Sequence, residues 1–229
     1  MRELTSAQCV IFDFDGPLCR LFARRTAASV AARLWETYVP HAPRDSWPHT
    51  PDPLRLLATA FEAPSPLPRG TAHELEHSLT QEEIAAAEGA FPTGYADALV
   101  RTLGATGRRP AVATDNSAAA VERYLAGRGL LDAFAGRVCG RRCDADGPRL
   151  KPDPDCVRRA LEATGTPAAD AVMIGDSARD LGAARAAGVA FVGYARNDRK
   201  EAELRTAGAI HVVGSLKEIL LTVDPLAHV

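Results

Sequence analysis

Lysine is nearly missing from this sequence. Lys151, Lys200 and Lys217 are the only three, and none lies before residue 151. The first two thirds of the chain therefore offers no amine for covalent chemistry with a carbonyl substrate. Long apolar runs are missing too. None reaches the roughly 20 residues a membrane-crossing helix needs. An excess of charge of either sign is absent: 27 basic side chains face 29 acidic ones, and the formal net charge is −2. That balance gives no footing for a nucleic-acid binder. Cysteine is sparse and odd in number, five in all, with no Cys-x-x-Cys pair. A disulfide framework and a thiolate metal site are both excluded on that count, and the thiols are read as reduced, in a cytoplasmic protein. The residues before the first apolar run predict no signal peptide. No repeat or low-complexity tract is present.

What is there begins with Cys9-Val10-Ile11-Phe12-Asp13-Phe14-Asp15-Gly16. The run Val10-Ile11-Phe12 predicts a buried parallel strand. Gly16 marks a sharp turn. Asp13 and Asp15 are thereby placed at the carboxyl end of a central strand, where open α/β sheets bind ligands. Two acids at the mouth of an apolar strand repel each other unless a cation or proton lies between them. A plain strand followed by an Asp-Gly turn accounts for Asp15-Gly16 but leaves Asp13 unexplained.

From residue 17 to 91 the pattern is helical, with no convincing strand. An alanine-rich helix is predicted over 21–38, ended by Pro40 and Pro43, and a short one over 53–61. Thr71 with Glu74 and Thr80 with Glu83 read as two capping boxes, predicting helices over 72–79 and 81–89. After residue 92, strands alternate with helices: strands at 109–114, 137–139, 171–174, 189–192 and 210–213, with helices between them. Ser117 is placed to cap one of these helices. The predicted fold is α/β, a doubly wound parallel sheet with a Rossmann-like core. Residues 1–16 and 92–229 form that core, and 17–91 form a helical cap inserted after the first motif.

Several predicted strands end in polar residues. The first ends at Asp13 and Asp15, the second at Thr114. The fourth is followed by Gly175-Asp176-Ser177-Ala178-Arg179-Asp180, and Lys151 precedes Pro152 in a loop. The topology brings all of these to one sheet edge. Asp13, Asp15 and Asp176 are hard oxygen ligands of the kind Mg²⁺ takes together with substrate phosphate. Lys151 and the Thr114 hydroxyl are donors for phosphate oxygens. The order Asp13-Phe14-Asp15-Gly16, Thr114, Lys151-Pro152, Gly175-Asp176-Ser177-x-x-Asp180 resembles the haloacid dehalogenase superfamily of phosphohydrolases. The helical block resembles the cap of its phosphoglycolate phosphatase and β-phosphoglucomutase branch.

That resemblance implies roles. Asp13 is the nucleophile that forms an aspartyl-phosphate. Asp15 is the general acid and base, and its backbone carbonyl joins Asp13 and Asp176 on Mg²⁺. Thr114 and Lys151 orient the phosphate, with Asp15, Gly16 and Asp115 also at the phosphate site. Gly175 and Asp180 support the metal or Lys151. The implied activity is a Mg²⁺-dependent phosphatase for a small phosphorylated metabolite, acting as a monomer or small homo-oligomer without nucleic acid or membrane. A phosphosugar mutase is the alternative, and a non-catalytic protein on this scaffold a further one. Pro17 stands where threonine or valine is common, and Asp115 where small or amide residues are usual.

Other patterns carry less. His73-Glu74-Leu75-Glu76-His77 matches a zinc-hydrolase pattern but lacks a third ligand, so an exposed cap helix is the reading. Asp144-Ala145-Asp146-Gly147 reads as a solvated turn rather than a calcium loop. Arg141-Arg142 and Arg108-Arg109 are read as surface charges. Arg20, Arg24, Arg25 and Arg44 belong to the cap region and are read as solvated. Phe22, Trp35, Tyr38, Trp47 and Phe61 are read as cap core.

Overall fold

The computed structural model describes residues 2–39, 50–62 and 67–227. Pro40, Pro43, Arg44 and Trp47 lie outside these residues. In chain order, helix α1 (Arg2–Ser6) leads to strand β1 (Cys9–Phe12). Strand β2 (Cys19–Arg20) and helices α2 (Ala27–Tyr38), α3 (Pro53–Phe61) and α4 (Arg69–Ala87) follow. Next come β3 (Phe91–Pro92), α5 (Ala96–Ala105), β4 (Arg109–Ala113), α6 (Ala118–Gly127), β5 (Val138–Cys139), β6 (Arg142–Asp144) and β7 (Gly147–Arg149). The chain closes with α7 (Asp155–Thr164), β8 (Ala171–Gly175), α8 (Ala178–Ala186), β9 (Ala190–Tyr194), α9 (Asp198–Thr206), β10 (His211–Val213) and α10 (Leu216–Val223).

The main sheet has six strands in the order β10-β9-β8-β1-β4-β5, all parallel. Strand order reverses beside β1, between β8 and β4. All four residues of β1 are buried, because both faces of the sheet are covered. Side chains alternate between the two faces. Val10 and Phe12 join Val112, Val172 and Ile174 against Leu99, Leu125 and Ile219. Cys9 and Ile11 join Ala111, Ala113 and Met173 against Val157, Ala160 and Ala184. This is the doubly wound α/β fold. Among the described residues no helix is long and apolar enough to cross a membrane.

The helices between β1 and β3 have a core of their own, built from Val30, Leu34, Leu56, Leu57, Leu75 and Leu79. Tyr38 and Phe61 are buried in it, and Trp35 and Phe22 pack against it. The two connections to the main sheet pair as an antiparallel ribbon, Cys19 with Pro92 and Arg20 with Phe91. Two-residue strands leave too short a pattern to read from sequence. The guanidinium groups of Arg20 and Arg24 lie 5.3 and 5.5 Å from the Phe91 ring centre. Pro17 is accommodated because the turn after β1 asks no N–H of it. The donors there are Gly16 N to Cys19 O at 2.7 Å, and Leu18 N and Cys19 N to Phe14 O at 3.2 Å.

Several elements differ from the sequence expectations. Helix α2 begins at Ala27 rather than 21, because the Thr26 side chain accepts from Ser29 N and caps it. The two helices expected over 72–79 and 81–89 are one helix, α4. Pro68 stands at its N-cap without a side-chain bond, and neither capping box forms. The alanine- and glutamate-rich stretch has no breaker between residues 79 and 81, so helix continues through it. Glu83 instead turns inward and pairs with Arg141 at 3.0 Å. Arg141 is not a surface charge: its side chain is fully buried. Arg142 is exposed, and Arg108 and Arg109 are half-buried. Asp144 to Gly147 is the turn of the β6–β7 hairpin, where Asp144 accepts from Asp146 N at 2.9 Å.

Candidate active site

Three neighbouring strand ends supply the site. Asp13 directly follows β1, and its N–H still donates to Ile174 O on β8 at 2.9 Å. Thr114 directly follows β4 and donates from its N–H to Cys139 O at 3.1 Å. Asp176 directly follows β8. Lys151 arrives from the loop after β7. Its ammonium donates to Asp13 Oδ1 at 2.7 Å, Asp180 Oδ1 at 2.5 Å and Ala113 O at 3.3 Å. Asp180 is held in turn by the start of α8. Its Oδ2 accepts from Ser177 Oγ at 2.7 Å, Ser177 N at 3.0 Å and Asp176 N at 3.1 Å.

Two glycines let these groups meet. Gly16 has φ +128, and a Cβ there would lie 2.7 Å from the Asp176 carboxyl carbon. A Cβ on Gly175 would lie 2.5 Å from Asp180 Cβ. Both backbones can pass only without a side chain.

Asp15 is half-buried, with Oδ1 accepting from Leu21 N at 2.9 Å across the first connection to the helical block. Asp115 is buried, and its Oδ1 accepts from Lys151 N at 2.8 Å. The Thr114 hydroxyl exchanges bonds with Asn116: it lies 3.3 Å from Asn116 Oδ1 and accepts from Asn116 N at 3.2 Å. Lys200 on α9, a residue the motif order does not single out, donates to Asp176 Oδ2 and to Asp176 O, both at 3.1 Å. Its scarcity in the sequence was the signal available.

The charges are out of balance. Burial, then the Asp180 carboxylate, pushes the Asp13 carboxyl up to about 8 against the pull of Lys151. Burial raises Asp15, Asp115 and Asp176 as well, with Lys200 opposing it at Asp176. Burial alone would raise Asp180 too, but the Lys151 ammonium outweighs it and holds that carboxyl low. Oxygens of Asp13, Asp176 and Asp180 all lie within 4.8 Å of one another. Such a cluster of hard oxygens with excess negative charge fits a small divalent cation. Asp180 is already committed to Lys151 and Ser177, which leaves Asp13 and Asp176 as the better-placed carboxylate ligands. His73 and His77 are both exposed. Among the described residues no third ligand joins them, and His73 instead packs edge-on against Phe61 at 5.2 Å.

A cavity of about 270 Å³ opens over these groups. Its far wall is Phe22, Ala27, Asp52, Pro53, Leu54 and Glu83 from the helical block. Arg25 does not reach it and pairs with Glu82. Arg179 and Arg196 line it from the sheet side.

Comparison with known proteins gives a consistent answer. The model of the haloacid dehalogenase-like hydrolases matches residues 7–188. A phosphoglycolate phosphatase of Rhodospirillum rubrum is 34% identical over 156 residues, 62% of this chain and 61% of that protein. A putative pyrophosphatase PpaX of Caldanaerobacter subterraneus subsp. tengcongensis is 42% identical over 74 residues, 31% of this chain and 32% of that protein. The matched stretches thus span less than two thirds of either relative's length. Among solved structures, CbbY from Rhodobacter sphaeroides in complex with phosphate is similar with TM-score 0.68 and 20% identity, covering 95% of this chain and 99% of that one. A hydrolase from Pseudomonas syringae is similar with TM-score 0.70 and 21% identity, covering 96% and 100%.

Proposed function

The chain belongs to the haloacid dehalogenase-like hydrolase family, and on that premise we propose that it is a Mg²⁺-dependent phosphatase of small phosphorylated metabolites. The observation that carries this reading is the Lys151 ammonium shared by Asp13 and Asp180 beside Asp176, at the mouth of a cavity closed by the helical block. Asp13, Asp176 and the backbone carbonyl of Asp15 would hold Mg²⁺, which would neutralise phosphate oxygens close to a carboxylate. Two charges about 4 Å apart interact by about 4 kcal/mol at an effective dielectric near 20, so an uncompensated approach is strongly opposed.

The remaining steps belong to side chains. An oxygen of Asp13 attacks phosphorus, and the bond from phosphorus to the leaving oxygen breaks. Asp15 gives its proton to that oxygen; burial already raises its carboxyl toward the protonated form. Asp15 then takes a proton from water, which attacks the aspartyl-phosphate and releases phosphate and free Asp13. Lys151 and the Thr114 hydroxyl orient the phosphoryl oxygens. The division proposed for the chain places residues 17–91 as a cap over this core, and the proposed setting is cytoplasmic, supported by five free thiols.

The test is phosphate release from a panel of phosphorylated metabolites with Mg²⁺ and with EDTA. Turnover in Mg²⁺ alone, absent in Asp13→Asn, is expected. Isomerised sugar phosphate as the main product would replace this reading with the mutase.

A further inference from the structure

Helix α4 carries a stripe of buried residues, Ala72, Leu75, Leu79, Glu83, Ala86 and Ala87. Leu75 and Leu79 belong to the helical block's core, Ala86 and Ala87 to the main core. Glu83 lies between them on the same face, with no exposed surface. A buried charge is costly unless paired and hydrogen-bonded. Its partner is Arg141, whose side chain is equally buried.

Every guanidinium nitrogen of Arg141 is used. Nη1 donates to Glu83 Oε1 at 3.0 Å and to Asp115 O at 2.8 Å. Nη2 donates to Glu76 Oε1 at 2.9 Å and Thr80 Oγ1 at 3.1 Å, and Nε to Glu76 Oε1 at 3.2 Å. Arg141 N also donates to Asn116 O at 2.8 Å. Glu83 completes the frame. Its Oε1 accepts from Asn116 Nδ2 at 3.0 Å and its Oε2 from Ser117 N at 2.8 Å. An ionised carboxylate only accepts, so it fixes which end of the Asn116 amide faces it. Asn116 Oδ1 is thereby turned to the Thr114 hydroxyl.

We infer that Glu83 and Arg141 are positioning residues: a buried ion pair that links the cap helix to the loop 114–117 and holds Asn116, on whose Oδ1 the Thr114 hydroxyl rests until its one proton turns to phosphate. Neither side chain is among the groups assigned to the reaction. The pair acts through Asn116 and through the Asp115 carbonyl, so its effect is on phosphate affinity rather than on proton transfer or the metal. The inference rests on the phosphatase reading of the site.

The experiment is calorimetric titration of the Mg²⁺-loaded protein with inorganic phosphate, beside steady-state kinetics. Glu83→Gln keeps the shape and loses the charge, and it allows the Asn116 amide to turn. Its phosphate affinity is expected to fall about tenfold, the loss of one charge-assisted bond. KM should rise by a similar factor, while Mg²⁺ affinity without phosphate stays at the wild-type value. Leu79→Ala lies one turn away on α4, in the helical block's own core. It should lower the melting temperature and leave phosphate affinity unchanged, which separates positioning from stability. Should Glu83→Gln fail to fold, Arg141→Lys carries the same expectation, because lysine cannot reach Glu83, Glu76 and the Asp115 carbonyl together. Wild-type phosphate affinity in the folded variant overturns the inference alone. A wild-type protein that binds no phosphate overturns the phosphatase reading and the inference with it.

Discussion

Asp13 lies between one ammonium and two carboxylates, and its charge is the quantity most exposed to substitution. Asp13→Asn keeps the volume and removes the attacking charge. Turnover is expected to fall by at least about a thousandfold while the far-ultraviolet circular dichroism stays unchanged. A purified variant with normal turnover would remove Asp13 from its role. Lys200 makes a second, opposite case. Its ammonium occupies one oxygen of Asp176 at 3.1 Å, so it opposes any further cation at that carboxylate. Lys200→Met is expected to bind Mg²⁺ roughly three- to tenfold more tightly. Isothermal titration reads this without substrate, and weaker binding would mean that Lys200 instead orients Asp176 for the metal. Asp115, at a position where small or amide residues are usual, lines the cavity, and its Oδ1 accepts from the Lys151 N–H at 2.8 Å.

Among the elements, α2 and α4 start in different ways, and the difference is measurable. Thr26 caps α2 through a bond from Ser29 N at 3.1 Å. Thr26→Ala is expected to cost about 1 kcal/mol in urea unfolding. Thr71, though followed by Glu74 at the spacing of a capping box, sits inside α4, whose N-cap is Pro68. Thr71→Ala is therefore expected to change stability by no more than about 0.5 kcal/mol, with helix propensity favouring alanine. A loss at Thr71 as large as at Thr26 would show that a capped boundary exists there. The same helix leaves Glu83 no capping role. Thr80 and Glu83 have the right spacing for a cap, yet the Thr80 hydroxyl donates to Glu76 Oε1 at 3.1 Å and Glu83 turns inward. The available signal was its place on the apolar stripe of Leu75, Leu79 and Ala86.

Across the whole molecule, stability should follow the charge imbalance of the site. The Asp13 carboxyl sits near 8 in the metal-free fold and ordinarily near 3.8. The folded state then holds more protons than the unfolded one between those values. Metal-free stability is expected to fall as pH rises through that window. Bound Mg²⁺ would replace the missing positive charge, so the gap in melting temperature between Mg²⁺ and EDTA samples should widen from about pH 5 to about pH 8. A gap that stays constant with pH would sink the coupling. The sequence by itself determined the α/β alternation, the central strand and the grouping of Asp13, Thr114, Lys151 and Asp176. Each of these residues lies at or near a strand end or helix start, and a parallel sheet brings such ends to one edge. Their roles stand on the family resemblance and the proposed chemistry. Tertiary structure alone decided the Glu83–Arg141 pair, the Lys200 contact with Asp176 and the ribbon of Cys19–Arg20 with Phe91–Pro92. Glu83 and Arg141 are 58 positions apart, and no local pattern ties a glutamate in one helix to an arginine beside a distant strand. Such pairings are set by which buried charge a fold must neutralise, and only the packed chain determines that.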